Sequence, residues 1–245
     1  MGYIREGCSC RAKLCSGVET PLEQGNRPIK SLLLMVRIKI CGITNEKDAL
    51  WAVNLGADYI GFNFYNNSPR KISPKLAAQI IGKIPSFTQP VGVFVNEEMR
   101  IVKKIAEKCR LNLVQLHGQE TPEYCRQLQV QSPRLKIIKA FRIRDKENLE
   151  GMEKYSVDYY LLDSYVPGIE GGTGEVFNWD LAVEAKQFGK PVFLAGGLAP
   201  DNVTQAIEKV NPYGVDVASG VERTPRRKDY DLMREFITRI RTKRL

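Results

Sequence analysis

The pattern of apolar and polar positions changes character near Met35. Upstream, residues 1–34 mix Gly, Cys, Pro and charged residues, with no apolar period before Leu32-Leu33-Leu34. Downstream, short apolar runs alternate with stretches whose apolar residues recur every three or four positions. Those are the signatures of strands covered on both faces and of amphipathic helices. Val36, Ile38 and Ile40 are β-branched at a period of two and predict a first strand, while Lys39 and Cys41 share the opposite parity. A helix over Asn45–Leu55 follows and stops at Gly56. Further strands are predicted over Asp58–Phe64, Pro90–Val95, Leu113–Leu116, Lys136–Phe141, Asp158–Leu162, Pro191–Leu194 and Gly214–Val217. Helices are predicted over Pro74–Ile84, Glu97–Lys108, Pro122–Leu128, Asn178–Phe188, Pro200–Val210 and Asp229–Arg241, with a weaker one over Lys146–Glu153. Ser73-Pro74 and Thr121 before Pro122 supply N-cap and N1 residues.

About eight strand–helix units result, which is the count of a (β/α)8 TIM barrel. An open doubly wound α/β sheet gives a similar alternation. The unit count, and the lack of a G-x-G-x-x-G run after the first strand, favour the barrel. The expected architecture is therefore a barrel over 35–245 with an extension over residues 1–34. That extension is expected to be disordered or to lie upstream of a natural start at Met35. It lacks the long apolar region of a secretory signal, and Glu6, Glu19 and Glu23 argue against a transit peptide.

Composition narrows the setting. With 245 residues, 43% of them hydrophobic, the chain can bury one sizeable core. No apolar run approaches the ~18 residues that a membrane span needs, so no membrane partner is expected. The six cysteines are scattered without a C-x-x-C pair, which fits free thiols in a reducing cytoplasm. Cys8, Cys10 and Cys15 lack a fourth Cys or His nearby. With no H-E-x-x-H and no P-loop either, no metal or organic cofactor is expected. The net charge of +9 gathers toward the C-terminus, where Arg223, Arg226, Arg227, Lys228, Arg234, Arg239, Arg241, Lys243 and Arg244 read as a solvated face and tail. Tyr230 and Phe236 fall at helical spacing with Leu232, Met233, Ile237 and Ile240. That is a buried stripe and not a base-stacking platform, so no nucleic-acid partner is expected. A small anionic substrate suits the charge.

In a barrel of this kind the C-terminal strand ends carry the chemistry. Gly196-Gly197 follows the seventh strand and Ser219-Gly220 the eighth, the recurrent phosphate position, where backbone N–H groups approach oxyanions. Asp163 ends an apolar strand and has two readings: a partly desolvated general acid, or a cap or loop ion pair. The loop after it, Val166–Phe177, is rich in glycine and reads as a mobile cover. Cys41 is either a small buried hydrophobe or a base, and the second role needs a cation, for which Lys39 is the candidate. The eighth strand closes against the first, so Asp216 is expected to pair with Lys39. Arg70 offers a fork for a carboxylate, or is a solvated loop residue. His117, the only histidine, is an acid, a base or a hydrogen-bonding wall residue.

These motifs also carry a resemblance. Lys39–Thr44, Ser68–Ser73, Val91–Asn96, Val114–Gly118, Leu161-Leu162-Asp163, Gly171–Gly174, Ala195–Leu198 and Val215–Glu222 are together similar, in order and spacing, to the phosphoribosylanthranilate isomerase family. The similarity covers Val36 to about the C-terminus. It implies a (β/α)8 barrel, acting as a monomer or homodimer on a phosphorylated small molecule. It also implies an Amadori rearrangement of N-(5-phosphoribosyl)anthranilate to 1-(2-carboxyphenylamino)-1-deoxyribulose 5-phosphate, in tryptophan biosynthesis. Under it Asp163 is the general acid, Cys41 the general base and Arg70 the holder of the anthranilate carboxylate. His117, Gly196, Gly197, Ser219 and Gly220 join Arg70 as substrate-binding residues. Ala195 and Ala218 depart from the family, many of whose members carry Ser there. The related histidine-pathway isomerase uses paired aspartates, and Cys41 at the first strand end argues against it.

Overall fold

Short polar signals set where each element begins. The Asn45 side chain accepts from the Asp48 N–H, Ser73 from Leu76, and Thr121 from Tyr124, each one capping a helix. Pro74 and Pro122 open their helices where no N–H is needed. Asp229 accepts from the N–H groups of Asp231 and Leu232 and starts the last helix. Gly56, at φ 100°, ends the first one in a left-handed turn closed to non-glycine residues without strain.

The structure is a computed structural model and describes residues 35–164 and 179–242, together with Gly2. Of the two units into which the chain divides, Met1–Leu33 and Leu34–Leu245, the second holds every element below. The expectations for residues 1–34 and for the glycine-rich loop over 166–177 fall outside the described residues.

Eight parallel strands close into a barrel: β1 (Arg37–Ile40), β2 (Tyr59–Asn63), β3 (Gln89–Phe94), β4 (Leu113–Leu116), β5 (Lys136–Ile143), β6 (Tyr159–Ser164), β7 (Val192–Leu194) and β8 (Gly214–Val217). The closing seam pairs β1 with β8 in a register that sets Lys39 beside Asp216. Helices α1 (Glu46–Leu55), α2 (Pro74–Ile81), α3 (Met99–Lys108), α4 (Pro122–Gln131), α5 (Trp179–Ala185), α6 (Val203–Val210) and α7 (Tyr230–Arg241) surround it. Period-two alternation divides the apolar residues into two cores. Tyr59, Val91, Leu113, Ile138, Leu161 and Phe193 fill the barrel, whereas Ile38, Ile40, Ile60, Leu116 and Val215 pack outward against helices. The rings of Tyr59, Tyr159, Phe193 and Tyr213 meet at 5.2 to 5.7 Å and plug the N-terminal mouth. A cleft opens at the opposite end.

The C-terminal helix buries Met233, Phe236, Ile237 and Ile240, the stripe expected from its spacing. Several elements differ from expectation: the helix expected over Pro200–Val210 begins at Val203, and the one expected over Asn178–Phe188 is α-helical only to Ala185 before a 3-10 turn. The stretch Lys146–Glu153 forms two 3-10 turns, Lys146–Leu149 and Met152–Lys154, because Gly151 at φ 80° breaks the run between them. The expected helix over Pro74–Ile84 ends at Ile81. After a 3-10 turn over Ser219–Val221, a short antiparallel hairpin of β9 (Glu222–Thr224) and β10 (Arg227–Lys228) precedes α7. The two-residue β10 is too short to carry a period, so the sequence pattern does not reveal it.

Candidate active site

Above the barrel core lies a cleft of about 540 Å³. Cys41, Arg70, His117, Asp163, Gly196, Gly197 and Ser219 all line it. Gly220 stands behind the lining: a Cβ there would meet the Leu198 carbonyl oxygen at 2.0 Å, so the β8 turn packs directly on the β7 turn.

Cys41 continues β1, its N–H donating to the Val217 carbonyl at 2.8 Å. A Cβ on Gly61 would lie 2.7 Å from the sulfur, so glycine at that point of β2 makes the space for the thiol. Lys39, one inward position deeper, is fully buried and donates to Asp216 Oδ1 at 2.9 Å. The expected pair is therefore formed. Its effect on the thiol is smaller than the cation alone suggests. Burial pushes the Cys41 thiol above its ordinary range, against the pull of Lys39 and Lys228, and Asp216 adds to the upward push. Asp216 and the thiol in turn hold the Lys39 ammonium charged against its own burial.

On another wall, Asp163 lies one residue before the end of β6, with its side chain 8% exposed. His117 Nε2 lies 3.2 Å from Asp163 Oδ2, without the alignment of a hydrogen bond. On its other side, Gln115 Nε2 sits 2.7 Å from His117 Nδ1. With the amide nitrogen donating, the imidazole proton is on Nε2, facing the carboxylate. Gln115 Oε1 is buried and has no hydrogen-bond partner among the described residues.

Arg70 is fixed by its own loop. Ser68 Oγ accepts from Asn63 Nδ2 at 3.0 Å and from the Arg70 N–H at 3.1 Å. The guanidinium then grips Glu222 through Nε, at 2.9 Å, and Nη2, at 2.7 Å. Glu222 also accepts from Lys228 Nζ at 3.0 Å, and that ammonium donates to the Ala218 carbonyl at 2.8 Å. Lys228 is buried, not part of a solvated face, because the β9–β10 hairpin folds it under the site. Burial lowers the pKa of its ammonium although Glu222 opposes the shift. One edge of Arg70 is thus taken by a protein carboxylate, and its Nη1–Nη2 edge remains for a ligand. Around the thiol, Lys39, Arg70 and Lys228 face Asp216 and Glu222, which leaves a surplus of positive charge. Glu222 and Lys228 are the site residues that strand-end reasoning does not reach.

At the far end, Gly196 and Gly197 adopt φ 83° and 64°, a left-handed pair that only glycine adopts without strain. Asn202 holds this turn, donating to the Gly197 carbonyl at 2.8 Å and accepting from the Ala199 N–H at 2.9 Å. Ser219 and Gly220 open the facing 3-10 turn. Among the described residues no three His, Cys, Asp or Glu side chains gather as metal ligands would.

The family model for N-(5'-phosphoribosyl)anthranilate isomerase matches residues 38–239. The chain belongs to this family. It is 53% identical over 207 residues to the N-(5'-phosphoribosyl)anthranilate isomerase of Geotalea uraniireducens, covering 84% of this chain and 99% of that one. Among solved structures, the phosphoribosyl anthranilate isomerase from Thermotoga maritima matches at 42% identity with a TM-score of 0.79, covering 84% of this chain and 99% of that one. A phosphoribosyl anthranilate isomerase in complex with reduced 1-(o-carboxyphenylamino)-1-deoxyribulose 5-phosphate matches at 42% identity and a TM-score of 0.76, with the same coverage. Like its isomerase relatives, the chain is an enzyme, and the family barrel is the one described above.

Proposed function

We propose that Asp163 and Cys41 carry the acid and base steps of the Amadori rearrangement of N-(5-phosphoribosyl)anthranilate to 1-(2-carboxyphenylamino)-1-deoxyribulose 5-phosphate. One observation carries the reading: a carboxyl group from β6 and a thiol from β1 open into the same cleft, with glycine turns at one end and a guanidinium edge at another. The phosphate is bound by N–H groups of the Gly196-Gly197 and Ser219-Gly220 turns. The anthranilate carboxylate takes the free edge of Arg70. Gripping both anionic ends fixes the sugar between acid and base, which converts orientation into rate.

The Asp163 carboxyl then gives its proton to the furanose ring oxygen. The C1–O bond breaks as the nitrogen lone pair forms the Schiff base. The Cys41 thiolate takes the proton from C2, and those electrons move toward the nitrogen to leave an enolamine, which tautomerises to the ketone. His117, with its N–H toward Asp163, holds the carboxyl group in place; apo hydrogen bonds of this kind commonly align only when substrate arrives. Gln115 Oε1, a buried acceptor without a partner among the described residues, suits a sugar hydroxyl.

The competent pair, thiolate with carboxylic acid, holds the same number of protons as the pair of thiol with carboxylate. A change of pH therefore does not by itself convert one arrangement into the other. Lys39 and Lys228 favour the thiolate, against burial and Asp216, which oppose it. Residues 35–245 form the catalytic unit, which acts in the cytoplasm as a monomer or homodimer. No helix among the described residues is long and apolar enough to cross a membrane. The direct test follows the loss of substrate anthranilate fluorescence with the purified full chain. Turnover that disappears in both Cys41→Ser and Asp163→Asn, with the fold retained, is expected. Full activity in either variant would overturn the assignment.

A further inference from the structure

Away from the acid, the base and the anion-binding turns, a buried ion pair lies beneath the β4 loop. Lys139 Nζ and Glu120 Oε2 are 3.0 Å apart, with side chains 3% and 2% exposed. Lys139 sits on β5 between the inward-facing Ile138 and Ala140, so its own side chain leaves the barrel interior. Its ammonium donates to the carbonyls of Gly118 at 2.8 Å, Ala140 at 3.1 Å and Leu116 at 3.4 Å. Glu120 accepts from the N–H of Asn96 at 2.8 Å and from that of Gly118 at 2.9 Å. One carboxylate therefore ties the ends of β3 and β4 to β5.

His117 is at the centre of this knot. Leu116 and Gly118, its chain neighbours, both give carbonyls to Lys139, and its own N–H donates to Phe94 at 2.8 Å. The turn has little room to rearrange. Asn96 is held at φ 50°, and a Cβ on Gly118 would meet Asn96 Oδ1 at 2.3 Å. Stability alone does not explain the pair, since apolar residues of similar volume are commonly as stabilising as a buried ion pair. What the pair adds is a fixed location for the backbone on both sides of one imidazole.

We propose that Lys139 and Glu120 are positioning residues for the isomerisation: they set His117 Nε2 against Asp163 and so aim the acid at the ring oxygen. The inference rests on the assignment of Asp163 above. Neither residue touches the substrate, and both act through His117.

The test is a double-mutant cycle of Glu120→Gln with His117→Asn in the full chain, read by steady-state kinetics. Each single variant is expected to lower kcat about tenfold to a hundredfold, the scale of a misplaced reacting group, with KM little changed. The double variant is expected to lose no more than the worse single one. Multiplying losses, or an unchanged kcat in Glu120→Gln, would overturn the proposal. Full activity in Asp163→Asn would instead overturn the assignment of Asp163 on which the proposal rests. A second readout separates positioning from folding. The chain has one histidine, so its ring-nitrogen resonances are assigned by inspection. Glu120→Gln, and the apolar pair Lys139→Met with Glu120→Leu, are expected to shift those resonances in a folded protein. Identical resonances in a folded variant would overturn the positioning role.

Discussion

Lys39 and Asp216 face each other across the seam where β8 closes on β1, and their side chains meet at 2.9 Å one inward position below Cys41. The pair has a structural and an electrostatic consequence. Removing one partner leaves an uncompensated charge in the barrel, which costs roughly 3–5 kcal/mol. The two removals act on the thiol with opposite sign. Lys39 pulls its pKa down and Asp216 pushes it up. Lys39→Met is therefore expected to slow alkylation of Cys41 at a fixed pH near 8, and Asp216→Asn to accelerate it. Iodoacetamide kinetics on the folded variants check this, with urea unfolding for the stability cost. Equal rates would show that the pair is electrically silent toward the thiol.

The pH profile follows from the same thiol. On the acid side of the Cys41 titration, pH does not interconvert the two single-proton arrangements, so kcat/KM should hold a plateau there. Above the thiol pKa the plateau falls, because the carboxyl proton is then lost without any gain in thiolate. Burial raises that pKa, so the alkaline limb is expected above the ordinary thiol value of about 8.5. In Lys39→Met the limb should move further up and the plateau should drop. A profile that instead rises steadily through neutral pH would mean that the carboxyl group is not the acid.

Two glycines are expected to fail for different reasons. In Gly61→Ala the new Cβ would sit 2.7 Å from the Cys41 sulfur. The thiol can swing away, so the fold should survive while turnover falls by about a hundredfold. In Gly220→Ala the obstacle is the Leu198 carbonyl at 2.0 Å, and backbone cannot swing aside. That variant should lose stability by about 1–3 kcal/mol, the scale of overpacking, and should bind inorganic phosphate more weakly. Thermal unfolding with and without phosphate separates the two cases.

Much of this site is legible in the sequence because it depends on strand ends. Period-two parity places Lys39 under Cys41, and closure of first strand on last brings Asp216 to Lys39. Apolar runs ending in Cys41, His117 and Asp163 point these residues at one mouth. The rest depends on features without a period. Lys228 reads as one charge among many until a hairpin, turning at Arg226 with φ 75°, tucks it beside Glu222. The weak helical pattern over Lys146–Glu153 does not reveal how Gly151 divides it. The net shift of the Cys41 thiol is a balance of burial against opposed charges, and no count of nearby cations gives its sign.

Arg70 supplies the last test, because the proposed function asks it to hold a second carboxylate beside Glu222. Its Nε and Nη2 are held by Glu222, at 2.9 and 2.7 Å, which leaves the outer edge for the proposed anthranilate contact. A lysine at this position provides one point charge on a flexible stem, not a planar fork. In Arg70→Lys the ammonium would be drawn to Glu222, where Lys228 already competes at 3.0 Å. Loss of a charge-assisted hydrogen bond to the substrate is worth about 1.5–3 kcal/mol. KM should therefore rise about tenfold to a hundredfold, with a smaller change in kcat, because the acid and the base are untouched. Glu222→Gln is the complementary variant: it weakens the hold on the inner edge and leaves Arg70 and Lys228 without a counter-charge. It should lose stability as well as raise KM. Steady-state kinetics on both variants, set beside their urea midpoints, distinguish a carboxylate holder from a purely structural arginine, for which stability would fall and KM would stay the same.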